Sequence, residues 1–229
     1  MYRALQRATI LAAMIAGLAV QSVAATEPAS VNSMLFEAPH LKGVEKGTEL
    51  VYRFQRSTSE PKLTGEPFSD DIKVAITDSN AEGLKDLAVY MFTGERAREV
   101  QTDTRRLGNP IIVAYLDRAI TNFAMFGGGN RPYLKQQFIK ALRATAKLTP
   151  VTIDYKGKSV EGHRITLTPY YGDKHAHRME GYENSTFTIV MSEKVPGHFV
   201  ELAQVLESTK QGAPRVEERI VLSGTGGIK

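Results

Sequence analysis

The chain has 229 residues, a formal net charge of +4 and no cysteine. Without cysteine it can have no disulfide bond, thiol nucleophile or thiolate metal site. A charge this close to neutral gives no support to nucleic-acid binding, which usually needs a strongly basic surface.

The first 25 residues predict a cleaved secretory signal. Arg3 and Arg7 precede an apolar run over 8–20, which is too short to cross a bilayer comfortably. Small residues at 22–25 suit a signal peptidase, and cleavage after Ala25 would leave 204 of the 229 residues, with 27 basic and 25 acidic side chains and a charge of +2. We expect export to the periplasm, with no membrane-spanning segment after cleavage. An uncleaved N-terminal anchor is the alternative.

Residues 26–46 are rich in Ser, Asn, Pro and Gly and predict a flexible N-terminal arm, in which 34–36 could dock on the body of the protein. The run at 87–92 is apolar throughout, which predicts a strand covered on both faces. The polar run at 96–104 predicts a strand that lies near an edge of the sheet or faces solvent. Apolar and polar residues alternate at 48–56 and 72–77, which predicts two more strands. Four strands are therefore predicted before residue 109, at 48–56, 72–77, 87–92 and 96–104.

The segment 109–148 predicts two helices joined by a glycine turn. Asn109 suits the N-cap and Pro110 the first helical position. Apolar residues then recur at three- and four-residue steps as far as the glycines at 127–129, which end the helix. A second helix starts after Asn130 and has one apolar stripe. Its opposite face is basic, with Gln136, Lys140, Arg143 and Lys147.

The β-branched residues at 111–113 argue against a helix at the start of this segment. They are poor helix formers, so one long strand over 110–123 is the alternative. We prefer the helix because its cap and its glycine end both agree with the helical period.

Five more strands are predicted after the helix pair, and a glycine-rich disordered tail at 224–229 follows them. The tight turn at 156–157 joins the first two of these strands into a hairpin. The strands are predicted at 151–155, 159–168, 182–191, 198–206 and 216–222.

The order of four strands, two helices and five strands predicts a mostly β, α+β fold. Short connections favour antiparallel neighbours, and the lack of strand–helix alternation argues against a doubly wound parallel sheet. We expect a single β-rich domain over 47–223, built as a curved antiparallel sheet, an open half-barrel, with the central helical hairpin packed on one face. A sandwich of two sheets is the alternative.

Three runs carry a resemblance to known proteins. They are DTRRLGNPIIVAYLDRAI at 103–120, GGNRPYLKQQFIKAL at 128–142 and MSEKVPG at 191–197. They resemble a set of uncharacterised exported proteins of Gram-negative bacteria whose architecture is similar to that of the periplasmic lipoprotein carriers. The resemblance implies an open β half-barrel closed by helices, of the kind that shelters acyl chains. It implies a fold more than an activity, and it identifies no functional residue.

An aromatic set provides the candidate ligand contacts, because in an open half-barrel these side chains would line a pocket instead of filling a core. We hypothesise that the protein binds an apolar or lipid-like ligand, such as a lipid or an acylated molecule, in a cleft between sheet and helices. The alternative is a structural or interaction protein of the cell envelope that has no ligand pocket and contacts an envelope protein through the basic face around Lys140 and Arg143. The aromatic set is Tyr52, Phe54, Tyr90, Phe92, Phe123 and Phe138.

We expect no enzymatic activity, no catalytic residue, no cofactor and no metal. His175 and His177 could hold zinc or copper with a third ligand such as Asp173 or His163, but the run around them is typical of a solvated loop. The glycines at 127–129 are not followed by the Gly-Lys-Ser/Thr of a phosphate-binding loop, and no Gly-x-Ser-x-Gly elbow occurs.

Overall fold

A computed structural model describes residues 30–227 of the chain. The predicted signal peptide and the first residues of the predicted arm lie outside this range. The strands are β1 (Thr48–Thr58), β2 (Phe68–Ser79), β3 (Lys85–Met91), β4 (Gln101–Arg106), β5 (Lys147–Tyr155), β6 (Lys158–Leu167), β7 (Thr186–Met191), β8 (Phe199–Leu206) and β9 (Val216–Gly227). The helices are α1 (Pro61–Thr64), α2 (Ile111–Phe126) and α3 (Arg131–Ala144), with short helical turns at Ser33–Glu37, Gly94–Arg96, Ala176–Arg178 and Tyr182–Asn184.

All nine strands form one antiparallel sheet in the order β4-β3-β2-β1-β9-β8-β7-β6-β5. Each strand pairs with the next one along the chain, except at β4 and β5, where the helices intervene. In addition, β1 pairs with β9, from Thr48 to Thr58. The edge strands β4 and β5 do not pair, so the sheet is not closed into a barrel. The predicted open antiparallel sheet with a helical hairpin on one face is confirmed, and the two-sheet sandwich was wrong.

Helices α2 and α3 run from one edge of the sheet to the other, because they connect β4 to β5. The sheet face that they cover, called the inner face below, carries apolar residues at alternate positions. On β1, for example, Leu50, Tyr52 and Phe54 are buried while Arg53 and Gln55 are exposed. None of the helices within residues 30–227 combines the length and apolarity needed to cross a membrane.

Helix α2 begins at Ile111, with Pro110 at the N-cap, one residue later than the sequence predicts. The Oδ1 of Asn109 still accepts a hydrogen bond from the backbone N–H of Ile111 at 3.1 Å, which satisfies one donor of the first turn. Ile111 and Ile112 are buried, so tertiary packing compensates for the low helix propensity of β-branched residues. The long-strand alternative for 110–123 is therefore wrong.

Both ends of the described chain are more ordered than their composition indicates. Residues 30–46 fall in the predicted flexible arm, yet Leu35, Leu41 and Val44 are buried in the core. The predicted tail starts at 224, yet β9 stays paired with β1 as far as Gly227. Glycine-rich segments keep their backbone donors and acceptors, so a neighbouring strand can pair with them without side-chain burial.

Strand β3 departs from the prediction for 87–92 at one position. Leu87, Ala88 and Val89 are buried, whereas Tyr90 is 42% exposed. Tyr90 projects to the outer face of the sheet, opposite to its neighbour Val89. The predicted cover on both faces is therefore wrong at this residue.

Glu218 on β9 links the sheet to helix α2. It is 3% exposed and lies opposite Arg56 of β1 in the strand register, where the two side chains form an ion pair. Arg118 of α2 donates through Nε and Nη2 to the two carboxylate oxygens, at 2.6 Å each. Gln204 of β8 donates a further hydrogen bond at 2.9 Å. We call Arg56, Arg118 and Glu218 the charged triad.

The substitution Glu218→Gln is expected to lower the free energy of unfolding by about 3–5 kcal/mol, because it leaves the buried guanidinium of Arg56 and the partly buried one of Arg118 without a counter-charge. Urea denaturation followed by circular dichroism measures the change. The matched control is Glu180→Gln, which removes an exposed ion pair with Lys210 and should cost no more than about 1 kcal/mol. Equal losses in the two variants would contradict this account.

Candidate ligand cleft between the sheet and helix α2

A cleft of about 880 Å³ lies between helix α2 and the β4 side of the sheet. Three parts of the chain form its walls: strands β3 and β4, the helical residues 112–122, and the N-terminal residues 35–40. Its volume lies in the range of small-molecule sites, roughly 300–1,000 Å³. The cleft therefore lies between sheet and helices, where the sequence hypothesis placed a ligand.

Apolar side chains form part of the mouth and of the inner wall of the cleft, beside polar and charged residues of β4 such as Gln101, Asp103 and Arg106. Phe36, Leu107 and Val113 come from three separate segments, and all three are exposed at its rim. Leu87 and Val89 of β3 continue the apolar lining on the inner face. Large apolar side chains gathered around one exposed cavity are typical of binding surfaces.

Phe92 lines the cleft because the chain turns sharply at the end of β3. Its φ of 66° lies in the left-handed region, and its N–H donates to the carbonyl of Asp71 at 2.9 Å. The ring packs against Phe54 and Phe68, with centroids 5.0 and 5.6 Å away. Because of this turn, Phe92 faces the cleft while Tyr90 lies on the outer face of the sheet.

Two polar residues of α2, Arg118 and Asn122, also line the cleft. They are four residues apart and so lie on the same side of the helix. Asn122 is 5% exposed, and its Nδ2 has no hydrogen-bond partner within residues 30–227. The neighbouring cleft residue Asp117 is already paired with Arg131, at 2.6 Å.

Asn109 fixes the end of the cleft where α2 begins. Its Nδ2 donates to the hydroxyl of Tyr52 at 2.8 Å and to the carbonyl of Gly197 at 2.9 Å. Its backbone N–H donates to Nδ1 of His40 at 3.3 Å, and Nε2 of His40 contacts the carbonyl of Met34 at 2.7 Å. This geometry requires a neutral His40 with its proton on Nε2.

The contact between Asn109 and Gly197 joins two of the three runs that carry the sequence resemblance. Gly197 has a φ of 74°, and a Cβ there would lie 2.7 Å from the Asn109 Nδ2. Glycine is thus required both by the backbone conformation and by the close approach of the amide.

Burial lowers the pKa of His40, an effect opposed by its hydrogen bond to Met34. Burial also lowers the pKa of His198, and nearby His40 lowers it further, while Glu193 opposes both effects. The two imidazole rings lie 5.3 Å apart between centroids. Both groups are therefore held neutral at this end of the cleft.

The structure does not gather the six predicted aromatic residues around the cleft. Phe92 lines it, while Tyr52 and Phe54 are buried behind its wall. Tyr90 lies on the outer face.

The last two residues of the aromatic set are buried elsewhere. Phe123 packs on Tyr170, with ring centroids 3.9 Å apart. Phe138 packs on Phe187, with centroids 4.9 Å apart. These contacts fill the space between the helices and the β5 side of the sheet.

The sequence analysis missed the polar residues of the cleft. One signal was available, because Glu218 lies between Val216 and Ile220 at an inward position of a predicted strand. A carboxylate at such a position needs a buried partner. No sequence pattern identifies Arg118 or Asn122 as facing the same cavity.

His175 and His177 lie outside the cleft, with ring centroids 6.4 Å apart. Asp173, the suggested third metal ligand, instead accepts from the hydroxyl of Tyr133 at 2.7 Å and from the N–H of His175 at 2.7 Å. Within residues 30–227 no three His, Asp or Glu side chains are grouped so that they could hold a metal ion. The expectation of a metal-free protein stays a prediction.

Comparison of the chain with protein-family models, curated protein sequences and solved structures gave no match. The similarity to the lipoprotein carriers therefore stays a prediction from sequence.

The free energy of unfolding is expected to decrease as the pH falls below 6.5, the ordinary histidine pKa. The unfolded chain binds protons there, whereas the folded chain holds His40 and His198 neutral to lower pH. The stabilisation is complete above 6.5 and is lost as the pH falls towards the lowered pKa values. Urea denaturation at a series of pH values measures this slope.

The double variant His40→Gln, His198→Gln should flatten the slope, whereas His163→Gln, at an exposed position on β6, should leave it unchanged. An unaltered slope in the double variant would show that other groups cause the pH dependence.

Proposed function

We propose that the protein is an exported periplasmic protein without enzymatic activity that binds an apolar, lipid-like ligand in the cleft beside α2. The observation that carries the proposal is the exposed apolar rim of Phe36, Leu107 and Val113 around a cavity of about 880 Å³. The predicted signal peptide supports the periplasmic location.

A ligand with an acyl chain suits this cleft on energetic grounds. Each methylene group withdrawn from water contributes about 0.8 kcal/mol, so a chain of moderate length offsets the entropy lost on association. Leu87, Val89 and Ile112 supply an apolar wall beyond the rim. The walls come from packed elements of the fold, so the ligand meets a largely pre-formed site.

The ligand is expected on only one side of the inner face. The rings of Phe123, Phe138, Tyr170 and Phe187 fill the β5 side, whereas the β4 side opens into the cleft. A lipid would therefore lie along α2, between the helix and strands β3 and β4.

The alternative function, contact with another envelope protein, is favoured by one observation. Lys140 and Arg143 are exposed on α3, and neither forms an ion pair with any of residues 30–227. A pull-down from periplasmic extract that captures the same envelope protein with the wild type, but not with Lys140→Glu, Arg143→Glu, would support this function.

The proposed function is tested with the neutral fluorophore N-phenyl-1-naphthylamine. Val113→Glu should weaken binding of the fluorophore by about tenfold or more, because it places a charge in the apolar mouth. The matched control is Met125→Glu, on the same helix but away from the cleft. Val113 is 62% exposed and Met125 is 68% exposed, so neither change disturbs the core.

Fluorescence titration of the purified mature protein gives the dissociation constants. Native mass spectrometry of protein taken from periplasm, with extraction of any bound mass, identifies the natural ligand. Absence of fluorophore binding by the wild type, or equal weakening in the two variants, would reject the cleft as the binding site.

A further inference from the structure

We propose that the ligand is an amphiphile with an anionic head group, a carboxylate or a phosphate, held by Arg118 and Asn122 while its chain lies against the apolar wall. This inference rests on the proposed function, because it assigns the chemistry of the ligand in the same cleft.

The first argument is the charge balance of the triad. Arg56 and Arg118 share the single carboxylate of Glu218, which leaves one positive charge in excess. The side chains of Arg56 and Glu218 are almost fully buried, whereas that of Arg118 is 25% exposed and lines the cleft. The Arg118 guanidinium also lies over the rings of Phe54 and Phe92, 4.8 and 5.6 Å from their centroids, which offsets part of this charge. An anion beside Arg118 would be stabilising because it balances the rest.

The acidic residues that line the cleft do not supply this anion. Asp103 pairs with Arg106 at 2.6 Å, and Asp117 pairs with Arg131. Glu37 accepts a hydrogen bond from Asn32 at 2.8 Å. Within residues 30–227 the only ion-pair partner of Arg118 is Glu218, and Nη1 of its guanidinium makes no hydrogen bond.

The second argument is the unpartnered amide of Asn122. This residue lies one helical turn beyond Arg118, lines the cleft and is 95% buried, since its exposed fraction is 5%. Its Nδ2 has no acceptor within residues 30–227. A buried N–H group without an acceptor is destabilising. Because this nitrogen is itself shielded from solvent, a ligand oxygen would supply the acceptor once the amide rotates towards the cleft.

The third argument is the polarity of the cleft along α2. Val113, at the apolar rim, and Asn122 are nine residues apart, which corresponds to roughly 13.5 Å of helix. The apolar groups therefore lie towards the start of α2, and the groups that suit an anion lie about two and a half turns further on. Arg98 adds positive charge to the opposite wall, which would attract an anionic ligand, whereas Arg105 is paired with Glu82 at 3.6 Å.

A ligand of another class leaves these features unmatched. A pure hydrocarbon would fill the apolar wall but provide no acceptor for Asn122. A cationic amphiphile would be repelled by the excess charge near Arg118. An anionic head group on an acyl chain satisfies both ends of the cleft.

The experiment measures displacement of N-phenyl-1-naphthylamine by four ligands that share one alkyl chain, below their micellar concentrations. They are dodecanoate, dodecyl phosphate, dodecan-1-ol and dodecylamine. Dodecanoate or dodecyl phosphate should displace the fluorophore from the wild type at about tenfold lower concentration than dodecan-1-ol, since charge-assisted hydrogen bonds contribute this much. The preferred anion distinguishes a carboxylate head group from a phosphate.

Two variants assign the effect to the named residues. Arg118→Gln should abolish the preference for the anion over the alcohol while the fluorophore still binds. Asn122→Ala removes no charge and should reduce the preference by several-fold, which keeps the test valid if Arg118→Gln does not fold. Lys140→Gln, which removes the same charge from the exposed face of α3, is the control and should keep the full preference.

Equal displacement by dodecanoate, dodecyl phosphate and dodecan-1-ol in the wild type would overturn the inference and leave the proposed function standing. Stronger displacement by dodecylamine would also overturn it. Loss of the preference in Lys140→Gln would show a general effect of surface charge and reject the roles of Arg118 and Asn122. If the fluorophore itself does not bind, the proposed function fails, and the inference fails with it.

Discussion

The pairing of the first strand with the last is the interaction on which the rest of the fold depends. Strands β1–β4 and β5–β9 are two antiparallel meanders, and only the β1–β9 ladder makes them one sheet. The buried ion pair of Arg56 and Glu218 lies across this ladder, where the two residues are direct register partners. Arg118 of α2 binds the same carboxylate, so the charged triad fixes both the central pair of strands and the position of the helix above them.

The strand order also explains why the helices lie where they do. With β1 and β9 at the centre, β4 and β5 become the two edges, and α2 and α3 must connect them across the inner face. Aromatic contacts such as that of Phe138 with Phe187 fill the space on the β5 side. On the β4 side the helix stands away from the sheet, and residues 35–40 form an outer wall instead of closing the gap. The cleft is thus a consequence of topology and unequal packing.

The groups that stabilise the fold and those proposed to bind the ligand are partly the same. Arg118 binds Glu218 and so holds α2 on the sheet, yet together with Arg56 it makes the triad net positive on the side that faces the cleft. At the other end, Asn109 joins the start of α2 to Tyr52, Gly197 and His40, which holds the N-terminal wall in place. Both ends of the cleft are therefore built from buried polar contacts. Because hydrogen bonds and ion pairs depend on direction, they fix the shape of the cleft more strictly than apolar packing alone would.

The sequence by itself determined the local structure: the strands by their alternation, the order of strands and helices, and the start of α2 next to Asn109, because these depend on neighbouring residues. It did not determine which inward residues fill a core and which line a cavity, because alternation assigns a face but gives no distance to the opposite layer. For that reason Phe92 and Phe123 were equally good candidates for ligand contacts, although only Phe92 lines the cleft. Tertiary structure alone brought Arg118 and Glu218 together, since they lie on a helix and a strand about 100 residues apart. The ordered ends at 30–46 and 224–227 likewise depend on backbone pairing and core contacts with distant segments, which composition does not encode.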